Sequence, residues 1–357
     1  MRSPVFVALF VSVVFVAVQA QGGSNLPLLS NAFGSNMVLN AGQASKIWGW
    51  TQAGDAPVEI TLIRNNQVVV SLQTISRDQY WSTYISQPVS FEPASIIISS
   101  SGQKAQIDNV LFGFLFFCGG QSNMEMSVHG AYNASTEIPQ GDQYPNIRLF
   151  TAGQKSYASA ALHNFASIEQ PWQAASSKTI GNGDWTFFSA TCWFFGRDFY
   201  NRVKAPVGLM SINWGGTIVQ SWSSPAVNQA CQNTQPNGNP PNQPMLLYNA
   251  MIAPVMGMNF AAMLWYQGES NVGYASTYSC FFPAMIADYR KQTSPNVQDP
   301  TPFFFVQLSP YIAGINPSNA ANLPALRQAQ LSAFSLPKIS AVTAIDGGDI
   351  SSPLGNT

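Results

Sequence analysis

The chain has 357 residues, enough for more than one average domain. Only 9% of the residues are Asp, Glu, Lys or Arg, whereas globular proteins average about 25%. The formal net charge is −1 and no cluster of Lys and Arg interrupts the sequence, so neither nucleic acid nor an anionic membrane surface is expected as a partner. A neutral polar ligand such as a carbohydrate fits this composition better.

The N-terminus has the order of a secretory signal peptide. Arg2 is followed by the apolar stretch VFVALFVSVVFVAV and then by the small residue Ala20. A membrane anchor is the alternative, but the stretch is shorter than the about 20 apolar residues that span a bilayer. We therefore predict a signal peptide over residues 1–20, a secreted or lysosomal protein, and no membrane span after cleavage.

Residues 21–109 are predicted to form a small all-β, sandwich-like domain. No helical period of useful length occurs between Leu26 and Asp108. Instead, short strand-like segments are separated by turns rich in Gly, Asn and Pro. The segments are ASKIWGWTQ, PVEITLIRNN, QVVVSLQTIS, YWSTYISQP and ASIIISSSG.

From Val110 onward the pattern becomes that of an α/β domain, which we assign to residues 110–357. Apolar runs of strand length alternate with segments that have helical spacing. The runs are VLFGFLFF, PVGLMSIN, FAAMLWY, PFFFVQL and ISAVTAI, and the helical segments are SATCWFFGRDFYNRVK, YSCFFPAMIADYRKQT and ALRQAQLSAF. Continuous apolar strands with intervening helices predict a parallel sheet covered on both faces, in a three-layer αβα arrangement.

Polar motifs follow the ends of all five apolar runs. GGQSNM follows the first, NWGGT the second and QGESN the third, while Gln307 and Ser309 follow the fourth and Asp346 the fifth. Ligands of open α/β sheets bind outside the carboxyl ends of the strands. Each motif alone fits a turn or a helix cap equally well, but five of them at one edge predict a binding site.

Ser122 is the candidate nucleophile of this site. At the start of a helix its hydroxyl would lie beside free N–H groups and the positive end of the helix dipole. NWGG brings a second backbone N–H close, because glycine has no side chain to obstruct the approach. The amide of Gln267 or Asn271 is the candidate third donor. Such donors stabilise the oxyanion that forms during acyl transfer from an ester.

The four cysteines and one glycosylation sequon indicate which covalent modifications to expect. Cys118, Cys192, Cys231 and Cys280 are too widely spaced for a zinc site, and they allow three full pairings between which the sequence does not choose. Cys118 fits best as a small, buried, apolar side chain. Asn133 begins the sequon NAS and is a predicted glycosylation site.

Four motifs, CGGQSNMEM, NWGGT…WSS, LWYQGESN and FFPAMIADYR, resemble the sialate O-acetylesterase family of the SGNH (GDSL-like) hydrolases. The resemblance covers nearly all of the mature chain. It implies a flavodoxin-like αβα esterase that removes acetyl groups from sialic acid hydroxyls with neither cofactor nor metal. By motif match Ser122 would be the nucleophile, and the N–H groups of Ser122 and Gly215 with the side chain of Gln267 or Asn271 would form the oxyanion hole.

The residues around these motifs are expected to contact the substrate, which would be an O-acetylated sialoglycan or another acetylated carbohydrate. They are Gln121, Asn123, Trp214 and Glu269. Glu269 has two interpretations, as a polar group that orients the site or as a structural residue that caps its loop. The second is preferred.

The base that activates Ser122 is not evident. It must lie within roughly 2.6–3.2 Å of the hydroxyl. If the chain after Ser122 is helical, His129 lies about 10.5 Å along the axis, which is too far, and His163 lies in a connecting region without a motif. In the resembling family the histidine lies in a late HP segment, after a stretch like AIDGGDISSPLGNT, which is where this sequence reaches Thr357. Asp346 or Asp349 is the candidate acid beside it.

Two explanations for the missing histidine remain open. Either the sequence is part of a longer active esterase, or it is a natural short form that has lost hydrolysis. In both cases the 357-residue chain is expected to have little activity. The alternatives to a sialate esterase are a sugar-binding protein without catalysis and an acetylesterase for another acetylated polysaccharide.

Overall fold

The computed structural model describes residues 26–154, 156–181, 183, 185, 187–294, 298–310 and 317–346. The predicted signal peptide and Asp349 lie outside the described residues. Within the described ranges, no helix is long and apolar enough to cross a bilayer.

The described residues form thirteen strands and eight α-helices. The strands are β1 (Val38–Asn40), β2 (Ser45–Trp50), β3 (Pro57–Arg64), β4 (Gln67–Ile75), β5 (Tyr80–Ile85), β6 (Ser90–Ser100), β7 (Gln103–Gly120), β8 (Ile147–Ala152), β9 (Ile168–Ala174), β10 (Val207–Asn213), β11 (Ala262–Tyr266), β12 (Phe303–Gln307) and β13 (Ile339–Thr343). The helices are α1 (Ser122–Glu125), α2 (Ala134–Gln140), α3 (Ser177–Ile180), α4 (Ala190–Val203), α5 (Val219–Trp222), α6 (Pro225–Ala230), α7 (Ala275–Thr293) and α8 (Pro317–Gln330).

The centre of the molecule is a sheet with strand order β13-β12-β11-β7-β10-β8-β9. All neighbours from β13 to β8 are parallel, and only β9, at the edge, is antiparallel. Strands β10 and β11 are buried along their whole length, as expected of parallel strands covered on both faces. The predicted α/β class is confirmed.

Two consecutive phenylalanines of β7 show that helices cover both faces of the sheet. Successive side chains of a strand point to opposite faces. The Phe116 ring packs against Phe195 of α4, with ring centroids 5.0 Å apart, and the Phe117 ring packs against Tyr289 of α7 at 6.3 Å. Helices α4 and α7 therefore lie on opposite faces, in the three-layer arrangement that the sequence predicts.

Strand β7 also joins the parallel sheet to the N-terminal β part. Its first half pairs with β6 and β1, and its second half pairs with β10 and β11. Strands β3, β4 and β6 continue the antiparallel pairing, while β2 and β5 form a separate two-stranded sheet. Because β7 runs through residues 109 and 110, the boundary placed there stays a prediction.

All four cysteines are paired. Cys118, at the end of β7, is bonded to Cys192 of α4, and Cys231, after α6, is bonded to Cys280 of α7. Cys118 is fully buried, as expected, but interpreting it as a small apolar side chain missed its covalent bond. No spacing in the sequence indicates that α4 packs on the end of β7, which is the contact that brings Cys192 to Cys118. The first disulfide thus fastens α4 to the strand that precedes Ser122.

Candidate active site

The turn that carries Ser122 depends on a glycine at the end of β7. Gly120 has φ +150°, and a Cβ atom there would lie 2.0 Å from the carbonyl oxygen of Tyr266. Only glycine allows this close approach. Gln121 N–H donates to the same carbonyl at 2.9 Å, and Ser122 begins α1 directly afterwards, half-buried. As the first helical residue, Ser122 has an N–H without a partner inside the helix.

Helix α1 is a single turn that ends at Glu125, which corrects the argument about His129. A continuous helix from Ser122 to His129 is absent, because the chain leaves the helix at Met126 and forms a separate 3₁₀ turn over Val128–Gly130. The estimate of about 10.5 Å therefore does not apply. The short helix also makes the dipole contribution smaller than the sequence suggests, because few peptide units are aligned.

Both histidines lie on the surface of the protein. His129 is exposed within its 3₁₀ turn. His163 is also exposed, and its ring packs against Trp50 of β2 with centroids 5.4 Å apart. The contact with the N-terminal β part fits the interpretation of His163 as a loop residue.

Gly215 borders Ser122, as predicted. The loop after β10 is held by the Trp214 N–H, which donates to the Gly120 carbonyl at 3.1 Å. A Cβ atom on Gly215 would lie 3.3 Å from Cβ of Ser122, while one on Gly216 would meet open space. Gly215, rather than Gly216, is therefore the glycine that lies against the serine, and Trp214 acts through its backbone in holding it there.

Glu125 is a site residue that the sequence reasoning missed. Its carboxylate oxygen Oε2 accepts the N–H of Gly215, and the side chain is buried. Burial raises the pKa of Glu125, and the side chain of Gln154 and the Gly215 N–H partly offset the rise. The available signal was its position three residues after Ser122, on the same face of a helix.

Gln267 and Asn271 are fully buried in a network of amides. Gln267 Nε2 donates to the Thr217 carbonyl at 3.0 Å and to Asn271 Oδ1 at 2.8 Å. Asn271 Nδ2 donates to the side chains of Gln220 and Gln235 at 3.0 and 2.7 Å. Both hydrogens of each amide are thus engaged by the protein. Their role as oxyanion donors stays a prediction. It would require one amide N–H to leave its present acceptor and donate to the oxyanion instead.

Gln121 and Asn123 hold the loop that follows β11. Gln121 Oε1 accepts the N–H groups of Gly268 and Ser270 at 3.2 and 3.4 Å. Asn123 Nδ2 donates to Glu269 Oε1 at 2.6 Å. Both side chains are buried. They were predicted to contact the substrate, and these bonds give them a bracing role on either side of Ser122.

Glu269 carries a carboxyl group that titrates near neutrality. The residue as a whole is half-buried, but its Oε2 atom is buried and has no hydrogen-bond partner among the described residues. Burial raises the pKa of Glu269 to about 7, and a backbone N–H and the Asn123 side chain partly oppose the rise. The bond to Asn123 fits a structural role, while the unpartnered oxygen fits a group that orients the site.

The arrangement around Ser122 matches a known family. The family model "Carbohydrate esterase, sialic acid-specific acetylesterase" matches residues 113–352. The chain belongs to this family. It is 30% identical over 346 residues to the sialate O-acetylesterase of Homo sapiens and 30% identical over 359 residues to that of Mus musculus. These alignments cover 90% and 87% of this chain but 65% and 66% of the relatives, so the chain spans about two thirds of their length.

A solved structure has the same fold as this chain. A carbohydrate acetylesterase from Xanthomonas citri superposes with a TM-score of 0.78 over 93% of this chain and 71% of that chain, at 24% sequence identity. The agreement over nearly the whole chain includes both the parallel sheet and the β part before it.

Asp346 lies at the same sheet edge but away from Ser122. It follows β13, which is three strands from β7 in the order of the sheet. At ~4.8 Å between neighbouring strands, the two strand ends are about 14 Å apart. Asp346 is exposed, and its role as the acid of the site stays a prediction.

Asn133 lies on the surface before α2. It is exposed, adopts a left-handed backbone conformation, and its Oδ1 accepts the hydroxyl of Thr136 at 2.9 Å. An exposed side chain is accessible to a glycosylating enzyme, and glycosylation of Asn133 stays a prediction.

Proposed function

We propose that this protein is a carbohydrate O-acetylesterase that removes O-acetyl groups from sialic acids, with Ser122 as the nucleophile. The observation that carries the proposal is the contact between the Ser122 turn and Gly215, at the edge where the loops after β7, β10 and β11 meet. Membership of the sialic acid-specific acetylesterase family supports it. The relatives from Homo sapiens and Mus musculus are named sialate O-acetylesterases, and this also supports the proposal.

The proposed reaction has two steps. Ser122 Oγ attacks the acetyl carbonyl carbon while its proton passes to a base, and the carbonyl oxygen becomes an oxyanion that accepts the N–H groups of Ser122 and Gly215. Each such donor is worth about 3 kcal/mol in the transition state. The sugar hydroxyl leaves with a proton, and water then hydrolyses acetyl-Ser122 to acetate. We assign the base to neither His129 nor His163, and we assign Glu269 to orienting the site.

Acetate release from O-acetylated sialic acid tests this proposal. In a form of the protein that carries the base, Ser122→Ala should lower turnover about 1,000-fold or more, because loss of the nucleophile alone removes most of the catalysis by the pair. Ser86→Ala, an exposed serine of the N-terminal β part, is the matched control and should change nothing. Equal turnover in Ser122→Ala and the unsubstituted protein, measured in that form, would refute the proposal. The 357-residue chain should be compared with any longer form whose transcript carries an HP segment after Thr357.

A turnover-independent assay of Ser122 complements this test. In the form that carries the base, an alkyl fluorophosphonate should phosphonylate Ser122 with loss of fluoride, and peptide mass spectrometry locates the adduct. Absence of the adduct on Ser122, with labelling of other serines, would count against a nucleophilic role.

A sugar-binding protein without catalysis is the second candidate. The observation in its favour is that Glu125 already occupies the N–H of Gly215. It predicts saturable binding of acetylated sialosides in calorimetry without acetate release. A third possibility keeps the esterase but changes the substrate, and acetylated xylan assayed beside acetylated sialosides distinguishes the two.

We also propose that the protein is secreted or lysosomal and carries a glycan on Asn133. The apolar N-terminus supports this, and two disulfides are expected mainly in oxidising compartments. The mass of the secreted protein tests both points. It should correspond to a chain that begins at Gln21, and it should fall on treatment with an N-glycosidase.

A further inference from the structure

The carboxylate of Glu125 occupies the donor that the proposed chemistry needs. Glu125 Oε2 accepts the N–H of Gly215. A Cβ atom on Gly215 would lie 2.7 Å from that oxygen and 3.3 Å from Cβ of Ser122. Glu125 is 8% exposed, so the contact is enclosed rather than a surface encounter.

An ionised Glu125 opposes an oxyanion at Ser122 in two ways. It competes for the Gly215 N–H, because a backbone N–H has one hydrogen to donate. It also places a negative charge beside the oxygen on which negative charge develops, in a buried site where charges are weakly screened. A neutral Glu125 removes the repulsion, and a Glu125 that turns away removes both effects.

The described groups that act on the carboxyl of Glu125 carry no charge. Helix α1 packs on α4, β7, β10 and β11, and the groups that act on the Glu125 carboxyl are the side-chain amide of Gln154 and the Gly215 N–H. Burial outweighs these two donors and raises the pKa of Glu125. Among the described residues, no charged side chain contributes to that shift. The neutral form is thus more accessible here than for a surface carboxylate.

We propose that Glu125 is a positioning residue that occupies the Gly215 N–H in the resting site, and that its ionised form inhibits acyl transfer at Ser122 until it is protonated or displaced. The inference rests on the proposed function, since it assigns the Gly215 N–H to the oxyanion. It predicts that the neutral variant Glu125→Gln has a better oxyanion site than the unsubstituted protein at alkaline pH, and that the advantage shrinks as pH falls.

The first experiment measures the hydrogen bond between the Gly215 N–H and Glu125 in the absence of substrate. In protein labelled with ¹⁵N-glycine and ¹³C-carbonyl tryptophan, a carbonyl-filtered spectrum contains only glycines that follow a tryptophan, which are Gly49 and Gly215. The Gly215 amide should shift downfield as pH rises and Glu125 ionises. In Glu125→Gln the shift should be lost, and Gly49 is the internal control. A Gly215 amide that titrates identically in both proteins, or in neither, would overturn the inference.

Affinity for a mimic of the oxyanion is measured second. Methylboronic acid adds to a nucleophilic serine, forming a B–O bond and a tetrahedral anionic boron while one proton is released. At pH 8, Glu125→Gln should bind it at least about tenfold more tightly than the unsubstituted protein, and the ratio should fall toward one as pH is lowered. Glu59→Gln, an exposed carboxylate of β3, should bind as the unsubstituted protein does.

The two proposals fail in different ways. Equal or weaker binding in Glu125→Gln at pH 8, with a melting temperature close to that of the unsubstituted protein, overturns the role of Glu125. If Glu125→Gln does not fold, Glu125→Ala takes its place and should show the same tightening. Boronate binding that persists unchanged in Ser122→Ala overturns the proposed function instead.

Discussion

Replacing Glu269 by glutamine should stabilise the protein at alkaline pH and leave its stability nearly unchanged in acid. The pKa of the Glu269 carboxyl rises from 4.5 to about 7 on folding, chiefly because it is buried. The folded state therefore binds the proton more tightly than the unfolded state does. The resulting stabilisation is complete below about pH 4.5 and is lost as pH rises toward 7. Above that range, the buried negative charge of Glu269 destabilises the unsubstituted protein relative to Glu269→Gln.

The size of the effect follows from the shift in pKa. A rise from 4.5 to about 7 corresponds to roughly 3 kcal/mol between the two protonation states. Because Oε2 is buried, screening by solvent does not reduce this value much. Glutamine keeps an oxygen that accepts from Asn123 and carries no charge at any pH. Glu269→Gln should therefore exceed the unsubstituted protein by about 3 kcal/mol at pH 8 and match it at pH 4.5.

Urea unfolding with intact disulfides, followed by fluorescence at pH 4.5, 6, 7 and 8, measures this difference. Glu59→Gln, on the exposed side of β3, is the control for the loss of a negative charge. The decisive quantity is the change with pH in the free energy difference between Glu269→Gln and the unsubstituted protein. A difference that stays constant from pH 4.5 to 8, or that favours glutamate at pH 8, would refute the reasoning.

Three further substitutions test the framework around the site by urea or thermal unfolding. Gly120→Ala should destabilise the protein by more than about 3 kcal/mol, because its Cβ atom would lie 2.0 Å from the Tyr266 carbonyl oxygen; a loss under about 1 kcal/mol would show that β7 and β11 adjust. Replacing Cys231 and Cys280 together by serine should cost about 4 kcal/mol, given their separation of 49 residues, and a stability equal to that of the oxidised protein would contradict this. Asn271→Ala should cost about 3 kcal/mol or more, because it removes four hydrogen bonds and leaves their buried partners unsatisfied. A neutral result would show that water replaces the amide.

The strands that the sequence indicates clearly are those with uninterrupted apolar runs. β7, β10 and β11 lie where the runs predict them, and α4 and α7 follow the helical spacing. β8 and β9 were missed. β8 reads IRLFTA, with a charged residue inside a fully buried strand, and periodicity gives no reason to bury an arginine. Arg148 donates to the carbonyl groups of Asn36 and Asn109, and these partners are known only once the two parts of the chain are packed together.

The neighbourhood of Ser122 is predictable to the extent that topology determines it. Parallel strands end at one edge, so the loops after β7, β10 and β11 had to meet, and Gly215 indeed lies against Ser122. The directions of the side chains are not determined in this way. The amide of Asn271 is turned toward Gln220 and Gln235, which lie on other segments, and no spacing in the sequence links them.

The segment around the nucleophile is best understood as a brace for two loops. Gln121 and Asn123 hold the loop after β11, whereas Glu125 holds the loop after β10 through Gly215. The carboxyl groups of Glu125 and Glu269 are both enclosed, and burial raises the pKa of each. The protonation of these two groups therefore changes the charge beside the Ser122 segment, and pH acts on the site through the side chains that hold its loops as well as through the base.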